Sequence, residues 1–105
     1  MVARSPAGAV GPEGAMLHVV IVDTGDKNKG RRVDELLRFA GERVRVGAYE
    51  VVGTAARMGL LERELGGLVG EAGIVRIYPV CGRCRDRVRL FGEGDVARLP
   101  VAWVV

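Results

Sequence analysis

The sequence predicts an α+β domain of the ferredoxin-like type, βαββαβ, with an antiparallel sheet, an extra C-terminal strand and a dimeric state. Three observations carry this. Short β-branched runs and two stretches of helical periodicity follow one another in the order β-α-β(β)-α-β. Two helices are enough to cover one face of such a sheet, and the other face is left without cover. At 105 residues the chain holds one domain with a modest core, so a second copy is the usual means of burying that face.

Each element follows from local pattern. Residues 1–15, MVARSPAGAVGPEGA, are rich in Ala, Gly and Pro, lack periodicity and lack the apolar core of a signal peptide. They read as a disordered extension or a tag, with the ferredoxin-like domain running over residues 16–105. The first strand is the apolar run of Leu17, Val19, Val20, Ile21 and Val22, ending on Asp23, with His18 as a strand-face residue. After the polar loop Thr24-Gly25-Asp26-Lys27-Asn28 come the cations Lys29, Arg31 and Arg32 and a helical stripe, Val33, Leu36, Leu37 and Ala40. Asp34, Glu35 and Arg38 take the opposite face, and Gly41 stands where a C-terminal cap belongs.

In Arg43–Gly53, Val44, Val46 and Ala48 alternate with Arg43, Arg45 and Gly47, a strand with a basic face. Gly47 marks either a bulge or a bend that divides the segment in two. Thr54 reads as an N-cap for a second helix carrying Met58, Leu61, Leu65 and Leu68, which its glycines weaken and tertiary packing must hold. Ile74–Val80 is the next strand, with Pro79 pointing to its end or to an edge position. Arg87–Phe91 and Val101–Val105 read as two further short β-like pieces.

The composition narrows the chemistry. No apolar run approaches the ~20 residues that span a bilayer, so a cytoplasmic protein with no membrane partner is expected. With His18 as its one histidine the chain has neither a Ser/His/Asp triad nor a histidine-based metal site, which leaves carboxylate-plus-metal hydrolysis. A net charge of +3 is a mild bias toward anionic partners and matters only if it gathers on one face. Asp23, at the carboxyl end of a strand with cations one loop away, can hold a divalent metal beside a phosphate. The plainer reading is that it bonds backbone amides of its own loop.

Lys27, Lys29, Arg31, Arg32, Arg43 and Arg45 are the candidate nucleic-acid-binding residues, because such side chains neutralise phosphates without reading sequence. Asp34, Glu35 and Glu42 dilute that charge. A second group, Arg83, Arg85, Arg87 and Arg89, can extend the surface. Aromatic platforms for base stacking are few, which points to duplex binding by shape and charge. Cys81 and Cys84 read as a redox pair, as half of an intersubunit zinc site, or, most simply, as half-buried thiols in the turn after a strand.

Three stretches also share a resemblance. VDTGDKNKGRR (Val22–Arg32), ERVRVGAYE (Glu42–Glu50) and VRIYPVCGRC (Val75–Cys84) occur in the order and spacing of the CRISPR-associated spacer-acquisition endonucleases, the small Cas2 proteins. The chain resembles that family from Met16 to its C-terminus. The resemblance implies a ferredoxin-like homodimer whose two Asp23 side chains pair across the axis to bind Mg2+, making Asp23 both catalytic residue and metal ligand. It implies cleavage of RNA or duplex DNA, and a dimer on which the larger CRISPR spacer integrase assembles. It also implies a C-terminal strand that crosses to the partner's sheet, falling on Val101–Val105 or Arg87–Phe91. Val22 stands where the family usually has Tyr, and Arg45 and Gly47 where it often has Gln and Ser. Tyr49 replaces Phe conservatively, and Glu50 is retained. The lost hydroxyls bear on cleavage and leave the fold and the adaptor role untouched. Two other readings compete: a non-catalytic scaffold for nucleic acid, and a ferredoxin-like regulatory or ligand-binding dimer.

Overall fold

The structure, a computed structural model, describes residues 14–92. Its first strand, β1 (Met16–Asp23), leads through a tight loop into helix α1 (Lys27–Ala40). Strands β2 (Glu42–Arg45) and β3 (Ala48–Gly53) form a hairpin, followed by helix α2 (Ala55–Val69), strand β4 (Ile74–Val80) and a single helical turn and a half, α3 (Gly82–Asp86). The sheet order is β2-β3-β1-β4, with β1 antiparallel to both of its neighbours. This is the expected ferredoxin-like arrangement, and Pro79 lies on the edge strand β4 as anticipated.

The pleat of β1 divides its side chains. Val20, opposite Tyr49 and Ile77, and Val22, opposite Val75, enter the core. There they meet Val33 and Leu37 of α1 and Met58, Leu61, Leu65 and Val69 of α2. The apolar stripes predicted for both helices face the core: Val33, Leu37, Met58, Leu61 and Leu65 are buried, Leu36, Ala40 and Leu68 are half-buried against them, and Val69 joins the core beside Leu68. Val19, Ile21 and Asp23 point to the face that α1 and α2 leave bare. On that face Ile21, Ile74 and Tyr78 remain 38%, 57% and 47% exposed.

Both long helices start as their sequences require. The Asp26 carboxylate accepts the Lys29 N–H at 3.0 Å, and the Thr54 hydroxyl accepts the Arg57 N–H at 3.2 Å. At the end of α1, Gly41 donates its N–H to the Leu37 carbonyl at 2.8 Å. Its glycine is dictated by space: a Cβ there would strike the Glu50 carbonyl.

Two expectations are corrected. Arg87–Phe91 is not a strand: the chain turns into α3 after β4, and among the described residues β4, at the sheet edge, pairs with β1 alone. Among the described residues Val88 and Leu90 join no ladder, and both side chains are exposed. Cys81 and Cys84 are exposed rather than half-buried, and they bracket the first turn of α3. The other β-like piece, Val101–Val105, and residues 1–13 of the 1–15 extension lie outside the described residues. Among the described residues no helix is long and apolar enough to cross a membrane.

Candidate metal and nucleic-acid site

Asp23 is the last residue of β1 and is exposed on the bare face of the sheet, opposite Ile74. One of its oxygens, Oδ1, accepts the Gly25 N–H at 3.1 Å, so the plainer reading of this residue, a bond to its own loop, holds for that oxygen. The loop is stiff for its length. The Thr24 hydroxyl donates to the Asp26 carbonyl at 2.8 Å and accepts the Asp26 N–H at 3.2 Å, while Gly25 takes φ +68°, the left-handed region that favours glycine. Chiefly the Lys29 N–H bond holds the Asp26 carboxyl below the usual carboxylate range, so this N-cap stays ionised and in place.

The β2–β3 turn closes the same rim. Val22 donates its N–H to the Gly47 carbonyl at 2.9 Å, which ties the turn to the end of β1. Gly47 has φ +85°, and a Cβ there would stand 2.9 Å from the Val22 carbonyl oxygen. The turn therefore divides the segment into two strands, with a register shift between Arg43 and Arg45.

The structure brings most, though not all, of the predicted cations to this rim. Lys27, Arg31 and Arg32 are exposed on the first two turns of α1, and Arg45 is exposed where the β2–β3 turn begins. Lys29 is exposed but reaches sideways: its ammonium comes within 3.4 Å of where a Cβ on Gly70 would stand, at the end of α2. Arg43 lies further along β2 and is paired with Asp34 at 3.4 Å. Asp34 is thus not simply a diluting surface acid. It accepts a 2.6 Å bond from the Tyr49 hydroxyl and also pairs with Arg38 at 3.7 Å. The signal for this partner was Tyr49 itself, since a phenol on a core-facing strand position must place its hydroxyl somewhere.

Asp23 supplies the hard oxygen donor that magnesium prefers. Among the described residues no group of three or more His, Cys, Asp or Glu could hold a metal, so the donor is right in kind and one chain offers too few. His18 is no substitute: it is buried on the helix side of the sheet, opposite Val51 and Pro79. It lines a groove of about 570 Å³ with Met58, Leu65 and Ile77 that the rim residues do not share. The candidate site is accordingly an exposed rim, separate from the groove that His18 lines.

No family model matches the sequence. The CRISPR-associated endoribonuclease Cas2 3 of Synechocystis sp. is 24% identical over 90 residues, which are 85% of this chain and 98% of that protein. The crystal structure of a hypothetical protein from Thermus thermophilus is similar with a TM-score of 0.69 and 28% identity, covering 81% of this chain and 100% of the other. The crystal structure of Streptococcus pyogenes Cas2 is similar with a TM-score of 0.65 and 23% identity, covering 73% of this chain and 100% of the other.

Proposed function

We propose that this chain, a Cas2 family member in sequence and in fold and so a CRISPR-associated protein, acts as a dimeric, magnesium-dependent endonuclease on RNA or duplex DNA. In the same reading it is the adaptor on which the larger spacer integrase assembles. The observation that carries the proposal is the exposed Asp23 carboxylate on the sheet face that α1 and α2 leave bare, with Lys27, Arg31, Arg32 and Arg45 along the same rim.

Two copies meeting through that face bring two Asp23 side chains together, and like charges at short range favour either a shared proton or a bridging cation. Magnesium, which binds through one or two carboxylates, waters and phosphate oxygens, supplies a bound water of lowered pKa and neutralises charge on the phosphate. The chain's own residues do the positioning. The Gly25 N–H fixes Oδ1 of Asp23 and thereby the direction of Oδ2. The rim cations hold the phosphates on either side of the scissile bond. His18 is buried on the opposite face, and the Tyr49 hydroxyl is committed to Asp34, so neither serves as the base. Cleavage should therefore increase as pH rises, with solvent-derived hydroxide in place of a side-chain base.

A non-catalytic scaffold is the second reading, and Val22 and Gly47 favour it. Val22 is buried in the core and Gly47 has no side chain, so neither position next to Asp23 offers a hydroxyl to the reaction. Cleavage of labelled single-stranded RNA and of linear duplex DNA with magnesium, manganese or chelator, for the wild type and Asp23→Ala, decides between them. Metal-dependent cleavage lost in Asp23→Ala supports the nuclease. Binding of duplex DNA by both proteins without cleavage by either supports the scaffold, and no binding by either overturns both.

A further inference from the structure

Beyond the end of β4 stands a feature that the proposed cleavage does not use. Val80, the last residue of β4, pairs with Leu17 at the start of β1, whereas Asp23 pairs with Ile74 at the other end. At about 3.3 Å per residue the two ends of the sheet are roughly 20 Å apart. Immediately after Val80 the chain turns into α3 with the sequence Cys81-Gly82-Arg83-Cys84. Both thiols are exposed and reduced.

The pair is arranged asymmetrically. Cys81 stands before the helical turn, and its Sγ accepts the Cys84 N–H at 3.5 Å. The Cys84 thiol also bonds to the Cys81 sulfur, so the two side chains are already neighbours. Arg83 lies between them and Arg87 just beyond. We propose that Cys81 and Cys84 form a thiol–disulfide exchange site, in which Cys81 attacks a small aliphatic disulfide and Cys84 resolves the product.

The chemistry balances without a cofactor. The Cys81 thiolate attacks one sulfur of the disulfide RSSR, a Cys81–SR bond forms, the R–S–S–R bond breaks and RS− departs. Cys84 then loses its proton to solvent and attacks Cys81 Sγ, forming the Cys81–Cys84 disulfide and expelling the second RS−. Two protein thiols are oxidised by two electrons, the small disulfide is reduced to two thiols, and the two protons released end on those thiols. The bonds present assign the order of attack. The Cys84 N–H, and then its thiol, hold Cys81 below the usual thiol range, and the bond to Cys81 together with its charge holds Cys84 above it. Closing the pair to about 2.05 Å requires side-chain rotation, since the sulfurs already face one another. A zinc site is the other use of two such thiols. It needs two more ligands, which among the described residues of one chain are not at hand, so zinc would require the Cys81–Cys84 pair of a second copy.

The test uses the full chain, the variants Cys81→Ser and Cys84→Ser, and oxidised glutathione as the disulfide, with intact mass as the readout. Both side chains are exposed, so the variants leave the core as it is. The wild type should become lighter by two hydrogens and carry no adduct. Cys84→Ser should stop at one glutathione adduct, and Cys81→Ser should form its adduct roughly tenfold more slowly. Glutathione adducts retained on both wild-type thiols, equal rates in the two variants, or disulfides between chains would overturn the assignment. Nuclease activity enters none of these readouts, so the result is independent of Asp23.

Discussion

Tyr49 and Asp34 form the bond that fastens α1 to the sheet beside the candidate site. The ring of Tyr49 is buried opposite Val20, and its hydroxyl donates to Asp34 at 2.6 Å. Burial, followed by that bond to a carboxylate, pushes the phenol up to about 12, while the same bond is the main cause holding Asp34 below the usual carboxylate range. The Tyr49 contribution is full below the ordinary phenol value near 10 and is lost as pH rises toward 12. The Asp34 contribution is full above the ordinary value of 3.8 and is lost as pH falls below it. Thermal denaturation across pH should show a plateau between these limits, and Tyr49→Phe should lower it by about 1–2 kcal/mol and shift the alkaline decline. An unchanged plateau and alkaline limb would mean the bond contributes nothing. The exposed pairs of Asp34 with Arg38 and Arg43 add little beside it, because water screens them. Helical periodicity places Asp34 on the polar face of α1, as it should. Periodicity does not show that a residue at the edge of that face reaches back to a strand two elements away.

The β2–β3 hairpin shows what can and cannot be read at the level of elements. β1, α1, α2 and β4 were legible because their periods, caps and lengths agree, from Asp23 through the Thr54 cap to Pro79. Gly47 was legible as a break, but whether it made a bulge or a turn depends on a contact with β1 that only the folded sheet contains. α3 was not legible, since Gly82–Asp86 is a single short helical stretch with no buried residue and hence no apolar stripe. The Gly47 contact leads to a prediction against intuition. Gly47→Ser would return a hydroxyl to the neighbourhood of Asp23, yet it places a Cβ 2.9 Å from the Val22 carbonyl on a backbone with φ +85°. Such strain costs about 1–3 kcal/mol, so the denaturation midpoint should fall and cleavage should not improve. A serine variant as stable as the wild type would show that the turn relaxes.

At the scale of the whole molecule, the bare sheet face and the basic rim make separate demands. Ile21→Asp puts a carboxylate at the centre of the apolar face, between Ala48 and Arg76, without touching the core side of β1. If that face joins two copies, sedimentation should show a dimer for the wild type and a monomer for the variant, with any cleavage lost alongside. A variant that remains dimeric would place the interface elsewhere. The rim is tested by salt. Each phosphate neutralised on B-DNA contributes about −0.9 to the slope of log K against log salt. The variant with both Arg31→Ala and Arg32→Ala should therefore bind duplex DNA with a slope shallower by roughly 2 per chain, because both side chains are exposed on α1. Arg43→Ala should change the slope less, since Asp34 already neutralises part of that charge. The sequence named all six cations alike. The fold separates them, because a charge already spent on a neighbouring carboxylate releases fewer counterions from DNA. Anisotropy titrations at several salt concentrations measure both slopes, and a change of roughly 1 for Arg43→Ala, half that of the double variant, would place Arg43 on the rim with the others.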